Sequence, residues 1–191
     1  MIILVNFAGA ENLTFCGSIP MNFPDWESSV TLPKFDPEMG TLKRVDLLCE
    51  MNLTQTTMVE NEGFAPAEFN ISIHGVLTAE LPSSKNISLN ISHISKGNLS
   101  GYDGVSDYKG VSGINSSEII PIKAPIKSMP NIADFLAVSP GERITIPVAV
   151  NISSLMGVPA SSSSGIAAKA GAQVCIYYTY EAKSTKKGGE L

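Results

Sequence analysis

The stretch Asn86-Ile87-Ser88-Leu89-Asn90-Ile91-Ser92 alternates strictly between polar and apolar residues. A chain with that period buries one face only as a β-strand. Ile87, Leu89 and Ile91 point one way and both asparagines the other. The pattern recurs along the chain. Cys49, Met51 and Leu53 oppose Glu50, Asn52 and Thr54. Ile71 and Ile73 oppose Asn70, Ser72 and His74. Ile144, Ile146, Val148, Val150 and Ile152 oppose Arg143, Thr145 and Asn151. Few windows show a helical apolar period. Strands are expected at 11–20, 28–32, 42–59, 68–80, 86–95, 118–123, 143–153 and 173–182. Pro147 lies inside a strand pattern, which predicts an edge strand or a bulge there. Asp36-Pro37-Glu38-Met39-Gly40 reads as a turn with proline at its second position. Ser161 to Gly165 reads as a flexible loop or bulge-rich connection, and 132–136 as one short helical turn. No convincing internal repeat is present. The expected fold is all-β: a single antiparallel β-sandwich or jelly-roll-like domain over residues 11–182.

Eight of the twelve asparagines begin an N-x-[ST] sequon: Asn12, Asn52, Asn70, Asn86, Asn90, Asn98, Asn115 and Asn151. Ser and Thr together are 33 of 191 residues, so chance alone predicts about two sequons. Asparagine is a poor strand former, so a plain polar–apolar–polar strand pattern does not explain its frequent choice. Heavy N-glycosylation of an exported protein does. The sequon asparagines of the alternating strands fall on the polar face, where a glycan must sit. Asn86 and Asn90 lie roughly 13 Å apart along one strand face.

Composition narrows the function. Charged residues are 16% of the chain and apolar residues 43%, enough to bury a core and to exclude a disordered acidic tail. No window holds about 20 consecutive apolar residues, which excludes a polytopic helical membrane protein. Net charge is −5, with no basic patch before the last few residues, which argues against a nucleic-acid partner. Two histidines, three cysteines and scattered carboxylates give little for metal chemistry, and no cofactor is expected.

Individual sites read the same way. Tyr102-Asp103-Gly104-Val105-Ser106-Asp107 lacks the ligand density of a calcium loop and reads as a turn. His74 and His93 have no partner in sequence and read as surface histidines. Ser161 to Ser164 lack a G-x-S-x-G elbow, and no nucleophile–base set appears, so no catalytic residue is assigned. Tyr178 and Tyr180 read as a sheet face rather than a sugar platform. Cys16, Cys49 and Cys175 are disulfide candidates. One intrachain bond leaves one cysteine over, three buried thiols leave none paired, and intermolecular bonds would staple an assembly.

Several landmarks occur in one order. Leu32-Pro33-Lys34-Phe35-Asp36-Pro37-Glu38-Met39-Gly40-Thr41-Leu42-Lys43-Arg44-Val45 is followed by Val59-Glu60-Asn61-Glu62 and Asp107-Tyr108-Lys109-Gly110-Val111-Ser112-Gly113. Then come Asp134-Phe135-Leu136, Ile144-Thr145-Ile146-Pro147-Val148 and Val174-Cys175-Ile176-Tyr177-Tyr178-Thr179-Tyr180. From about residue 25 to 182 this set resembles the choice-of-anchor E domain family. The resemblance implies an exported surface domain, with no catalytic residues to carry over. The chain departs from the family at Val138-Ser139-Pro140-Gly141, where a "GTG" is missing. It also shows no sorting signal or apolar helix after Tyr180 and ends in a polar stretch, 183–191. An unanchored domain dense in sequons fits an archaeal surface protein, with the sheath of filamentous methanogens as the type.

Residues 1–10, Met1-Ile2-Ile3-Leu4-Val5-Asn6-Phe7-Ala8-Gly9-Ala10, end in an Ala-x-Ala pattern without a basic n-region. They read either as a signal-peptide remnant or as a strand that completes a neighbour's sheet. The expected function is an extracellular structural subunit, a homopolymer carrying N-linked glycans, forming a sheath, surface layer or filament. The alternative is a secreted adhesion or carbohydrate-binding domain.

Overall fold

A computed structural model describes residues 9–82 and 86–183. Among the described residues nine strands form two antiparallel sheets: β1 (Ala10–Asn22), β2 (Trp26–Pro33), β3 (Gly40–Asn61), β4 (Ala67–Ala79), β5 (Ile87–Leu99), β6 (Gly113–Lys123), the two-residue β7 (Lys127–Ser128), β8 (Arg143–Gly157) and β9 (Ser162–Ala182). The first sheet runs β1-β9-β3-β6, with β7 also on β3. The second runs β2-β8-β4-β5. With β7 set aside, first pairs with last, second with second-last, and so inward to the β4–β5 hairpin. That nesting of antiparallel pairs, folded over into two sheets, is a jelly roll.

Period-two burial drives this arrangement. Leu47, Cys49, Met51 and Leu53 of β3 and Val174, Ile176 and Tyr178 of β9 face Ile73, Leu77, Ile146 and Val150 of the second sheet in one core. The Trp26 indole closes the space between sheets, its Nε1 donating to the Ala170 carbonyl at 3.1 Å. A smaller cluster of Val59, Phe69, Ile71 and Leu99 continues the interior toward the far end.

Two local expectations are corrected. Ser162 to Gly165 are the first residues of β9, held as strand by pairing with Val59, Met58 and their neighbours on β3. Tertiary pairing overrides the loop-like composition there. Pro147 lies on β8, an interior strand between β2 and β4. Its carbonyl accepts from Glu80 N at 2.9 Å, one residue beyond the end of β4. Its missing N–H faces the same side, where the ladder has already stopped, so no ladder bond is lost. The short turn at 132–136 is a 3₁₀ turn, Ile132–Phe135, capped by Asn131. The Asp36–Gly40 turn stands as expected, with Met39 N donating to Asp36 O at 3.0 Å.

β1 and β2 are shorter than the strands they join. β1 pairs with β9 only as far as Ala170, and β2 pairs with β8 only as far as Val150. Beyond the β1–β2 corner, residues 162–169 of β9 pair with β3 on one side, and residues 151–157 of β8 pair with β4 on one side. Among the described residues no ladder joins these two free edges to each other, so one flank of the sandwich carries a notch.

Candidate functional site

All eight sequon asparagines are exposed. Asn61, which begins no sequon, is 1% exposed. Asn12, Asn52 and Asn115 sit on the outer face of the first sheet, on β1, β3 and β6. Asn70, Asn90, Asn98 and Asn151 sit on the outer face of the second, on β4, β5 and β8, with Asn86 just before β5. Register brings two of them into one row: Asn90 lies opposite Val76, and Val76 opposite Asn151. These side chains are two strands apart, about 10 Å. Glycans at these positions would cover both broad faces of the sandwich.

The cysteines resolve into one bond and one buried thiol. Cys16 on β1 lies directly opposite Cys175 on β9, and the two form a disulfide with S–S 2.03 Å and Cα–Cα 4.1 Å. The bond joins strands 159 residues apart in one chain. Cys49 is fully buried in the core. Burial, with the charge of Glu50, pushes its thiol up to about 11, so its thiolate is scarce at neutral pH. The idea of an intermolecular disulfide staple is therefore corrected: no cysteine is left exposed to form one.

The family-like landmarks gather at the two ends of the sandwich, where they tie loops. At one end Phe35 is fully buried against Tyr180 and Tyr178, with ring centroids at 5.0 and 5.7 Å. Phe35 N donates to Phe135 O, and Ala137 N donates back to Phe35 O. Tyr178 Oη donates to Pro33 O at 3.0 Å, and burial raises its phenol pKa. Lys34 Nζ meets Glu142 Oε1 at 2.6 Å. A Cβ at Gly40 would overlap the Glu181 carbonyl, so only glycine fits.

At the other end, Asn61 Nδ2 donates to Ala65 O and Ser100 O, and its Oδ1 accepts from Gly63 N. Asn61 N donates to Ser112 O, and Tyr102 N to Gly63 O. Tyr108, at φ 57°, donates its N–H to the buried Glu60 carboxylate at 2.7 Å. A Cβ at Gly113 would overlap that same carboxylate.

The remaining candidates have local partners. Asp103 and Asp107 accept from Val105 N and Lys109 N within their own turns. Glu62 accepts from the Ser106 and Ser163 hydroxyls. No trio of metal-ligating side chains is assembled among the described residues. His74 is exposed. His93 is half-buried, and its Nε2 lies 3.1 Å from Glu118 Oε2, linking β5 to β6 across the sheets. That partner comes from a strand 25 residues away, so the surface reading missed it. Tyr178 and Tyr180 are core residues rather than a platform.

Sequence reasoning missed the notch itself. It is lined by Met156 and Val158 near β8 and Ile166 and Ala168 of β9, all partly buried. The exposed Met21 and Phe23 stand at its base, with Lys169 Nζ 4.8 Å from the Phe23 ring centroid. No helix among the described residues is long and apolar enough to cross a membrane.

No protein-family model matches the chain, and no curated protein matches it. Among solved structures it is similar to desmodium yellow mottle tymovirus, at 8% identity over 98% of this chain and 97% of that one, TM-score 0.24. It is also similar to infectious bursal disease virus, Gx strain, at 8% identity over 92% and 38%, TM-score 0.27. The VP2 subviral particle of that virus gives 12% identity over 90% and 38%, TM-score 0.20. The chain spans 38% of the length of these two infectious bursal disease virus chains. The jelly-roll assignment rests on the ladder order described above. The class defined is a disulfide-bonded antiparallel jelly-roll sandwich with sequons on both faces.

Proposed function

We propose that this chain is a non-catalytic structural subunit of a glycosylated extracellular polymer, a sheath, surface layer or filament of the archaeal type. The choice-of-anchor E resemblance is part of that reading. The observation that carries it is the distribution of the sequons: eight exposed asparagines spread over both broad faces, and none on the notch-side edge of β9. Sugars on the faces block lateral stacking and leave strand edges as the surfaces for self-association. The Cys16–Cys175 bond suits an oxidising compartment. Contacts between edges are head-to-tail, so they propagate into rings or filaments. The adhesion alternative needs an exposed aromatic or polar groove, and the two tyrosines considered as a platform are buried.

Negative-stain electron microscopy of native material tests the reading. Ordered tubes, sheets or fibres are expected. Dispersed single chains, with a positive glycan-binding screen, would establish the adhesion reading in its place.

A further inference from the structure

We propose that the notch beside β9 receives residues 1–8 of a second copy as a donated strand, so that the polymer grows head-to-tail. This inference rests on the structural-subunit reading and adds its site and its occupant.

Among the described residues, 162–169 of β9 lack a partner on the flank where β1 pairs lower down. This stretch is unlike the other edges. β1 carries Asn12 and Pro20, β5 carries Asn90 and Asn98, β6 carries Asn115 and Pro121, and β2 carries Glu27 and Pro33. Such features blunt an edge against pairing. Ser162–Ala168 is Ser-Ser-Ser-Gly-Ile-Ala-Ala, with no sequon or proline, and the one charge of the stretch, Lys169, sits at its β1 end with its Nζ 4.8 Å from the Phe23 ring centroid. The free edge of β8 across the gap carries the Asn151 sequon, so β9 is the better acceptor. Inward-facing β9 residues are large beside β1, at Val174, Ile176 and Tyr178. Beside the notch the inward-facing residues are Ile166 and Ala168, both only partly buried, so this face offers an apolar surface to a partner's side chains.

The occupant follows from length, composition and direction. The residues Ile2-Ile3-Leu4-Val5-Asn6-Phe7 are apolar but for Asn6 and, as a strand, are long enough to pair along most of Ser162–Lys169. Their alternation puts Ile3, Val5 and Phe7 on one face, apolar like the notch. The chain's own segment cannot fill its own notch. Ala10 pairs with Glu181, and Lys169 is twelve residues further along β9, about 40 Å away. Val5 reaches at most about 18 Å from Ala10. A copy displaced along the strand axis by about 65 Å sets its β1 in line with this one. Its residues 1–8, running in the same direction as β1, then lie antiparallel to β9 in the vacant lane.

The test uses the full-length chain, with Val5→Asp to spoil the donor and Ala168→Asp to spoil the acceptor. A thermal melt checks that each variant still folds. Wild-type chains are expected to form fibres with an axial repeat of about 65 Å, and each variant alone is expected to lose them. A mixture of the two variants retains one good donor and one good notch, so it should stop at heterodimers. Val5→Asp fibres like the wild type, a mixture that stays monomeric, or fibres built from chains that lack residues 1–8 would each overturn strand donation while leaving the polymer reading intact. Wild-type chains that never assemble would overturn the polymer reading itself.

Discussion

The Trp26 indole N–H reaches across the sandwich to the Ala170 carbonyl at 3.1 Å, at the residue where β1 stops pairing with β9. Trp26 thereby seals the core directly below the notch. Trp26→Phe keeps most of the buried area but orphans a buried carbonyl, and should cost about 1–3 kcal/mol. Trp26→Ala also opens a cavity and should cost about 3–5 kcal/mol. Urea unfolding followed by circular dichroism measures both. A Trp26→Phe variant as stable as the wild type would show that the hydrogen bond contributes nothing.

The Cys16–Cys175 bond closes a loop of nearly the whole domain. Paired Cys16→Ser and Cys175→Ser substitutions should lower stability by about 2–5 kcal/mol. The chain should run as a monomer on denaturing gels with or without reductant. Disulfide-linked dimers on the non-reducing gel would refute the intrachain pairing.

Asparagines should divide sharply by position. Asn→Gln at Asn90 or Asn151 should change stability by less than about 0.5 kcal/mol and remove one glycan's mass from the native protein. Asn61→Ala removes three hydrogen bonds in a buried loop knot and should cost about 2–4 kcal/mol. Intact-mass spectrometry and thermal melts read the two effects separately.

Acid should weaken the fold through Asp46. The Arg44 guanidinium, with help from the Ser128 hydroxyl, holds the Asp46 carboxyl below its ordinary value of 3.8 against the opposing effect of burial. A carboxylate depressed in the folded state stabilises fully above its unfolded pKa and loses that contribution as pH falls through the folded one. Stability should therefore be flat in this respect above about pH 5 and fall below pH 3.8. Asp46→Asn should reduce that slope. An unchanged acid limb in Asp46→Asn would place the effect elsewhere.

Cys49 should resist thiol reagents. Its raised pKa and full burial predict that alkylation waits on unfolding. Modification by iodoacetamide should track urea-induced unfolding rather than precede it.

How much of this was legible depends on contrast between neighbours. Strands such as 86–95 and 143–153 declare themselves because Ile and Leu alternate with Asn, Ser and Thr, so the buried face is written in the residues. Ser162 to Ala168 offers no such contrast, since serine, glycine and alanine sit equally well inside or out. Only its partner on β3 makes it a strand. The same uniformity hid the notch, which depends on where β1 and β2 end relative to β8 and β9. The Cys16–Cys175 partnership was similarly out of reach. It follows from first-to-last strand pairing, which no local pattern encodes. The exposure of Asn52, Asn70, Asn86, Asn90 and Asn151 was legible, because strand phase puts them on the polar side.

Tension gives the disulfide a second meaning. A pull entering the chain at Ala10 travels up β1 and must cross to β9 before it can reach the upper end of the domain. Hydrogen bonds between the strands would share that load in shear and could slip one register at a time. The sulfur bridge, anchored six residues from Ala10, hands the force across covalently and leaves only the first few rungs free to peel. A fibre of such units should stretch at its joints before its subunits come apart.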